Sequence, residues 1–208
     1  MTSSFSRSDI DALKESVKAR LSEKRFNHTL AVADAAVRLG ELCAPKCKDK
    51  LEVAALLHDV TKELTTDEQL RIIKSADIRV DDEDLSSPAI LHAFTAPEVI
   101  KSDFSAFADA AVLSAVYNHT IGSPEMSVFD EIIFLADFIE DTRTYDASVE
   151  VRNFVWENMA NADSDARIKI LHKAVILAID STLKLLKENK KTINSKNILT
   201  RNALLSKI

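Results

Sequence analysis

Glycine is scarce in this chain of 208 residues, which contains only Gly40 and Gly122. Average usage of about 7% would give roughly fourteen glycines in a chain of this length. Glycine-rich phosphate loops, dinucleotide-binding turns and the many tight turns of a β-sandwich all need residues that adopt positive φ. The shortage therefore excludes these designs and favours helices joined by polar loops.

Cysteine and net positive charge are also lacking. Cys43 and Cys47 are the only cysteines, and two sulfurs four residues apart neither complete a zinc site nor form a disulfide framework. Residues 1–20 lack the apolar segment of a signal peptide, so we expect a reduced, cytoplasmic protein. The 27 basic and 33 acidic residues give a net charge of −6, which provides no overall positive field. We therefore expect no nucleic-acid partner and no membrane partner.

Apolar residues recur at helical spacing along most of the chain, and 46% hydrophobic with 29% charged residues is ordinary for a globular domain. Helices are predicted over 23–42, 90–94, 97–101, 107–119, 128–140, 148–161 and 165–188. Three further helices are predicted to begin at the caps Ser8, Asp49 and Thr66, and a last short helix is predicted to begin at Ser195. The acidic run 81–84 is predicted to be a solvated loop. The pattern predicts an all-α bundle of one domain, with an N-terminal helix in 1–22, a core in 23–190 and a C-terminal segment, 191–208, that packs on the core.

Four of the five histidines lie at or near the ends of predicted central helices: His28, His58, His92 and His119. A single histidine beside an apolar face is more often a core or cap residue than a ligand. Two aspartates change this interpretation, because Asp59 directly follows the apolar run 53–57 and Asp137 lies inside the run 132–139. An ionised carboxylate is costly to bury without a cation or several donors. The central helices are therefore predicted to enclose a charged group.

A metal ion accounts for this combination of side chains. His58 and Asp59 are adjacent, and adjacent side chains on a helix point about 100° apart. The imidazole is therefore able to bind one ion while the carboxylate faces the bundle axis and bridges two. His28 and Asp137 complete this first set of ligands with His58 and Asp59. A second ion is predicted against Asp59, held by the two remaining residues, His92 and His119. Imidazole with carboxylate and no thiolate suits iron, manganese, cobalt, nickel or zinc, and the residues alone do not choose among them.

Six stretches between Arg25 and Leu205 carry a family resemblance: RFNHTLAVADAAVRL, AALLHDVTKEL, LHAFTA, YNHTIGSPEMS, IIFLADFIEDTR and TRNALL. In this order they resemble the HD-domain phosphohydrolases, and within them the YqeK-type subgroup of symmetrical bis(5′-nucleosyl)-tetraphosphatases. The resemblance implies an HD-type helical core over 23–190. It also implies a phosphoanhydride hydrolase that splits diadenosine tetraphosphate into two nucleoside diphosphates by a metal-activated hydroxide. One or two divalent ions per chain, with iron as the expected metal, a nucleotide substrate and a homodimer are implied as well.

The resemblance also assigns roles to particular side chains. The metal ligands are His28, His58, Asp59 and Asp137, with His92 and His119 for a second ion. The catalytic residues are Asp59, Lys62, His92 and His119. The substrate-binding residues are Arg25, Lys62, His92, His119, Thr120, Arg143 and Arg201. In this scheme Asp59 positions the nucleophile's metal and Lys62 and Arg143 offset negative charge. His92 or His119 protonates the departing diphosphate where it is not metal-bound.

Five positions depart from the family pattern. Ala31 and Ala93 stand where relatives have glycine, Ser123 and Glu125 replace an arginine and an asparagine, and Asp141 replaces a proline. The predicted metal ligands are all present. We expect the changes to affect which nucleotide fits, because they add methyl groups and remove a positive charge near the substrate.

The fifth histidine and four aromatic residues are predicted to lie outside the metal site, either as packing residues or as surfaces that contact the base. His172 lies outside all six stretches and is predicted to be structural. Phe154 and Trp156 lie on a helix that carries no site residue, so they are predicted to pack. Phe94 and Phe138 are the predicted surfaces for base stacking because they lie close to site residues in the sequence.

Two other functions are compatible with the same metal ligands. One is a different HD-type nucleotidase that acts on mononucleotides or on a guanosine alarmone. The other is a regulatory module in which the metal stabilises the bundle without turnover. A regulatory module needs no cationic groups for phosphate, so the presence of Lys62 and Arg143 favours an enzyme.

Overall fold

The computed structural model describes residues 5–208, and within this range the chain forms eleven α-helices, three short 3-10 helices and no β-strand. The α-helices are α1 (Arg7–Lys18), α2 (Glu23–Cys43), α3 (Lys48–Leu57), α4 (Thr66–Ser75), α5 (Asp82–Leu85), α6 (Leu91–Asp103), α7 (Ala110–Asn118), α8 (Val128–Ile139), α9 (Asp146–Met159), α10 (Ser164–Glu188) and α11 (Ser195–Leu205). This confirms the predicted all-α fold.

The centre of the bundle is formed by α2, α3, α7 and α8. Helix α3 contacts α2 and α7, and α8 contacts both of them as well. Every residue from Leu51 to Leu57 is buried, as the nearly continuous apolar sequence predicts. Helix α8 is buried almost as completely, from Phe129 to Ala136. Three of the six predicted metal ligands, His58, Asp59 and Asp137, therefore lie on or directly after deeply buried helices.

The N-cap residues of three helices differ from the predicted ones by one or two positions. The N-caps are Ser6, Thr65 and Cys47, where the sequence predicted Ser8, Thr66 and Asp49. Ser6 caps α1 because its side chain and that of Asp9 bond reciprocally to backbone N–H groups. Thr65 does the same with Glu68 at the start of α4. Ser127 caps α8 together with Asp130 in the same way.

Helix α6 corrects the prediction of two short helices on either side of Pro97. The helix runs unbroken from Leu91 to Asp103 with Pro97 inside it. Proline in a helix interior costs about 3 kcal/mol through its missing N–H and its ring. Here the neighbouring side chains Ala93, Phe94, Ala96 and Ile100 are buried, and their burial offsets the cost.

The acidic run 81–84 is also not the solvated loop that was predicted. It forms the short helix α5, and Asp84 is fully buried. The Asp84 carboxylate accepts hydrogen bonds from Lys196 Nζ at 2.6 Å and from Asn194 Nδ2 at 2.7 Å. The run is therefore a contact between α5 and the start of α11.

Gly122 fixes the loop that follows α7. Its φ of 72° lies in the left-handed region, which costs glycine little. A Cβ at this position would lie 2.7 Å from Thr200 Cγ2 on α11. Asn197 on the same helix donates a hydrogen bond of 3.0 Å to the Ile121 carbonyl oxygen. The last helix thus packs directly on the loop that follows His119.

The C-terminal part of the chain, from Asp146, consists of α9, α10 and α11. Helix α10 packs against both α9 and α11. Helix α9 begins two residues before the predicted position, whereas α11 begins at Ser195 as predicted. Helix α10 is the longest of those described, with 25 residues. Within residues 5–208, no helix combines the length and the hydropathy that crossing a membrane requires.

Candidate metal and substrate site

The predicted metal ligands come together in the centre of the bundle. They lie on α2 (His28), at and after the end of α3 (His58 and Asp59), on α6 (His92), at the end of α7 (His119) and on α8 (Asp137). The ligand atoms of His28, His58 and Asp137 lie within 4.8 Å of one another, and so do those of His58, Asp59 and His119. Two overlapping groups of donors therefore share His58.

The four imidazole rings form a row. The ring centroids of His28 and His58 lie 5.6 Å apart, those of His58 and His119 5.1 Å, and those of His119 and His92 4.9 Å. We call this the imidazole row, with a His28 end and a His92 end. The donor atoms along the row fall into two overlapping groups, each compact enough to surround one ion. The row therefore offers ligands for one ion or for two.

Asp59 lies beside the row and faces both of its ends. Its Oδ1 lies 3.2 Å from Nε2 of His92 and 3.7 Å from Nε2 of His119. Its Oδ2 lies 3.5 Å from Nε2 of His58 and 3.8 Å from Nε2 of His28. The two carboxylate oxygens therefore face different pairs of imidazoles, which is the geometry that a bridging carboxylate needs.

The ring orientation of two histidines leaves one nitrogen free for a metal. His58 Nδ1 donates to the carbonyl oxygen of Ala55 at 2.6 Å, and His119 Nδ1 donates to that of Val116 at 2.6 Å. The proton on Nδ1 leaves the lone pair on Nε2. His58 Nε2 is buried and has no hydrogen-bond partner within the described range 5–208. A buried acceptor without a donor is costly, and a divalent metal ion fits it.

Glu140 holds the third ring, that of His28, and sequence reasoning missed it. His28 Nδ1 donates to Glu140 Oε1 at 3.1 Å. Glu140 is 1% exposed, and it also accepts from the backbone N–H and the hydroxyl of Thr142. Burial raises the pKa of Glu140, but the bonds from His28 and Thr142 lower it more. The sequence contained one indication of this role, because Glu140 is an acidic residue at the end of α8, three positions after Asp137.

Both central carboxylates are held in their charged form. Burial would raise the pKa of Asp59, but the adjacent His58 and the rings of His119 and His92 hold it well below its usual range. Burial acts in the same direction on Asp137, where His28 and Arg143 together hold the pKa well below its usual range. Ionised carboxylates are the form that binds a cation.

The two ends of the imidazole row differ in their affinity for protons. Burial lowers the pKa of His28, but hydrogen bonds to Asp137 and Glu140 outweigh it and raise the pKa to about 9. Burial lowers the pKa of His92 to about 4, against the opposing effect of Asp59. The His92 ring is therefore neutral at pH 7 and keeps a lone pair.

Three predicted cationic residues surround the carboxylates. Arg25 Nη1 donates to Asp59 Oδ2 at 2.9 Å, and Arg143 Nη2 donates to Asp137 Oδ1 at 2.5 Å. Lys62 Nζ lies 3.3 Å from both ring nitrogens of His92. Burial lowers the pKa of Lys62. The site therefore carries positive groups at both ends of the imidazole row.

Thr120 and the loop after α8 complete this arrangement. Thr120 Oγ1 lies 3.1 Å from His119 Nε2 and 3.3 Å from His92 Nε2. The family's proline is replaced by Asp141, yet the turn from Glu140 still returns Arg143 to Asp137, and the backbone N–H of Arg143 donates to the Glu140 carbonyl oxygen. The substitution thus leaves Arg143 at the site.

Several predicted residues have other contacts. Arg201 pairs with Asp180 on α10, and no contact in the described range joins it to the imidazole row. His172 Nδ1 lies 2.6 Å from Glu131 Oε2 and the ring is buried, which agrees with the structural part assigned to it. Phe94 is 2% exposed, so its prediction as a stacking surface is wrong.

Two predicted packing residues do lie in the core. Phe154 and Trp156 are partly buried against the main cluster of apolar side chains. The guanidinium carbon of Arg38 lies 4.2 Å from the Trp156 ring centroid. Phe138 is partly buried against the same cluster.

Comparison with known proteins identifies the family. Residues 25–140, more than half of the chain, match the HD domain. The chain belongs to the HD-domain family. The matched range begins at Arg25 and ends at Glu140, so it contains all six predicted metal ligands. A divalent metal centre in this HD domain agrees with the donor atoms that the helices bring together.

Similar proteins extend the match to nearly the whole chain. A protein of Bacillus subtilis (strain 168) named symmetrical bis(5′-nucleosyl)-tetraphosphatase is 30% identical over 190 residues, which cover 91% of this chain and 94% of that protein. A protein of the same name from Halalkalibacterium halodurans is 30% identical over 191 residues, 91% of this chain and 93% of that one. These matches confirm the resemblance predicted from the sequence motifs.

A solved structure agrees with the fold. The crystal structure of a predicted HD superfamily hydrolase involved in NAD metabolism from Clostridium acetobutylicum is 28% identical in sequence. Its TM-score is 0.82, and the match covers 99% of this chain and 100% of that one. The helices on both sides of the HD domain therefore have counterparts in that protein.

Proposed function

We propose that this protein is a metal-dependent hydrolase that splits diadenosine tetraphosphate symmetrically into two molecules of ADP. The observation that carries the proposal is Asp59, whose two oxygens face different pairs of imidazoles among three cationic side chains. The relatives from B. subtilis and H. halodurans, which match nearly the whole chain, are named for this activity. A nucleotide is therefore the proposed substrate.

In this proposal His28, His58, Asp59 and Asp137 hold the first divalent ion, and His92 and His119 hold a second ion against Asp59. A divalent ion bound there is a Lewis acid that lowers the pKa of water and offsets negative charge on phosphate oxygens. The mixed imidazole and carboxylate donors suit iron, which the family resemblance also favours. Metal analysis of the protein purified without air tests the choice, and manganese or cobalt in place of iron would contradict it.

Arg25, Lys62 and Arg143 are the proposed phosphate-binding groups. The guanidinium groups of Arg25 and Arg143 contact the carboxylates of Asp59 and Asp137. Each guanidinium has several N–H donors, so it is able to contact a carboxylate and a phosphate oxygen together. Lys62 supplies a third positive charge at the His92 end. These charges lower the barrier by offsetting the negative charge that develops at phosphorus.

His92, His119 and Thr120 are proposed to act on the leaving diphosphate. Their polar atoms lie within 3.3 Å of one another, so a proton held at this end is close to a departing phosphate oxygen. When its Nε2 holds no metal, His92 or His119 would accept there the proton that the attacking water releases and pass it to the departing diphosphate oxygen. Arg201 is retained as a proposed substrate residue on the family resemblance alone.

The products of diadenosine tetraphosphate test this function. We expect the metal-loaded protein to form ADP alone, with one label from isotopically labelled water in one of the two ADP molecules. AMP and ATP in equal amounts would contradict symmetrical cleavage. Faster hydrolysis of a mononucleotide or of a guanosine alarmone would favour a different nucleotidase. Metal binding without turnover of any of these compounds would favour a regulatory module.

Four predictions from the sequence remain proposals: a homodimer, a cytoplasmic location, and the absence of nucleic-acid and membrane partners. Light scattering of the purified protein tests the homodimer. A mass of 23.1 kDa, that of one chain, would contradict it.

A further inference from the structure

A cavity of about 350 Å³ adjoins the His28 end of the imidazole row. Its lining includes His28 together with Lys24, Arg25, Glu140, Arg143 and Tyr145. Three of these side chains are cationic and one is acidic, so basic groups are in excess although the net charge of the chain is −6. A positive cavity beside the predicted metal ligands suits the phosphates of a nucleotide.

Tyr145 gives this cavity an exposed aromatic wall. Its side chain is 63% exposed, the largest fraction among the large apolar and aromatic side chains of the described range. The guanidinium carbon of Arg143 lies 5.9 Å from the ring centroid. In a nucleotide, one ribose separates the base from the first phosphate. The ring of Tyr145 is therefore close enough to Arg143 for the base to stack on the ring while the phosphate contacts the guanidinium.

The backbone of Tyr145 is held in place independently of its ring. Tyr145 is the N-cap residue of α9, and its carbonyl oxygen accepts a hydrogen bond of 3.0 Å from the backbone N–H of Val149. Its side chain makes no capping hydrogen bond to α9. Removing the ring should therefore leave the helix start intact.

We propose that Tyr145 is the stacking platform for one nucleoside of the substrate, whose phosphates extend past Arg143 toward the imidazole row. This inference rests on the proposed function and adds a base-binding residue to it. An aromatic ring stacks on any base because every base has a π face. Phe94, the stacking surface predicted from the sequence, is buried, so Tyr145 takes its place.

A second cavity near the other end of the row is the competing location. It measures about 510 Å³, and Pro88, Ile90, Ile121 and Leu185 are among its lining residues. Its lining contains no aromatic ring, and its Asn194 and Asn197 side chains donate to Asp84 and to the Ile121 carbonyl oxygen. It therefore offers apolar contact without a stacking surface.

Binding of ADP and of inorganic pyrophosphate tests the platform. Each ligand is titrated calorimetrically into the full-length protein loaded with manganese. Tyr145→Ala should raise the Kd of ADP about tenfold or more and leave the Kd of pyrophosphate unchanged, because pyrophosphate has no base. Tyr145→Phe should retain most of the ADP affinity. Leu185→Ala, a matched change of an exposed side chain in the second cavity, should bind ADP as the parent does.

Four results would overturn the platform, three of them in the variants. These are unchanged ADP affinity in Tyr145→Ala, an equal loss of pyrophosphate affinity, and a loss of ADP affinity in Leu185→Ala alone. A parent protein that binds no ADP would overturn it too. A parent that binds ADP through Tyr145 but leaves diadenosine tetraphosphate intact would instead contradict the proposed function.

Discussion

Single residues decide how the imidazole rings are oriented at the site. His58 and His119 are the C-cap residues of α3 and α7, and each donates to a carbonyl oxygen three residues earlier. The last carbonyl groups of a helix lack partners within it, so these acceptors come with the helix ends. His28 lies inside α2 and depends instead on a carboxylate 112 residues away, that of Glu140.

Glu140→Gln should therefore weaken metal binding without removing a predicted ligand. The amide keeps the shape of the side chain and an acceptor oxygen for His28 Nδ1, but it loses the negative charge of the carboxylate. Loss of such a supporting contact typically costs 10–100-fold in metal affinity. Calorimetric titration with manganese measures the change. Asp141→Asn is the matched control because Asp141 is 70% exposed, and equal affinities in the two variants would refute the role of Glu140.

Removal of a central carboxylate should have a larger effect. Asp59→Ala and Asp137→Ala should each lose bound metal and hydrolysis, because these carboxylates are ionised and surrounded by imidazoles. Metal content after purification and product formation measure both losses. His172→Asn is the control, since His172 pairs with Glu131 outside the site. Full metal content in both aspartate variants, or metal loss in the control, would contradict the ligand assignment.

At the scale of helices, the local sequence predicted which segments form helices and which of these helices are buried. The apolar runs of α3 and α8 predicted central helices because helices apolar on most sides must be buried. The cost of burying Asp59 and Asp137 without a cation predicted a cluster with the four histidines, and the structure brings these side chains together. Asp84 was assigned to a solvated loop because its partner Lys196 is 112 residues away. Glu140 was missed because its contact with His28 depends on the approach of two helices distant in the sequence, which no local pattern records.

The contact between α5 and α11 gives a pH-dependent prediction. Burial raises the pKa of Asp84, but hydrogen bonds from Lys196, Asp81 and Asn194 lower it more. A carboxyl with a lowered pKa stabilises the fold fully above its unfolded value of about 3.9 and loses this contribution as the pH falls through its folded value. Asp84→Asn should therefore lower the free energy of unfolding at pH 7 by about 1–3 kcal/mol, and the difference from the parent should shrink below pH 4.

Thermal unfolding between pH 3 and pH 7 measures this difference. Asp82→Asn is the control, because Asp82 is an exposed residue of the same short helix. A constant difference between parent and Asp84→Asn across this range would show that the carboxyl does not stabilise the fold by its charge.

At the scale of the whole molecule, the proposed metal ligands connect helices that are distant in the sequence. They span residues 28–137 and lie on α2, α6 and α8 and directly after α3 and α7. The carboxylates of Asp59 and Asp137 pair with Arg25 and Arg143, and the buried Nε2 of His58 has no hydrogen-bond partner among the described residues. A divalent ion that binds the folded chain and not the unfolded one should therefore stabilise the entire bundle.

Manganese should accordingly raise the Tm of protein that has first been stripped with a chelator. At a free concentration 100 times the Kd, binding adds about 2.7 kcal/mol. For a chain of this length each kcal/mol raises the Tm by about 2–4 °C, so we expect a rise of about 5–10 °C. Asp137→Ala should show a much smaller rise at the same manganese concentration. An equal rise in that variant would place the ion elsewhere, and no rise in the parent would refute a metal centre that links these helices.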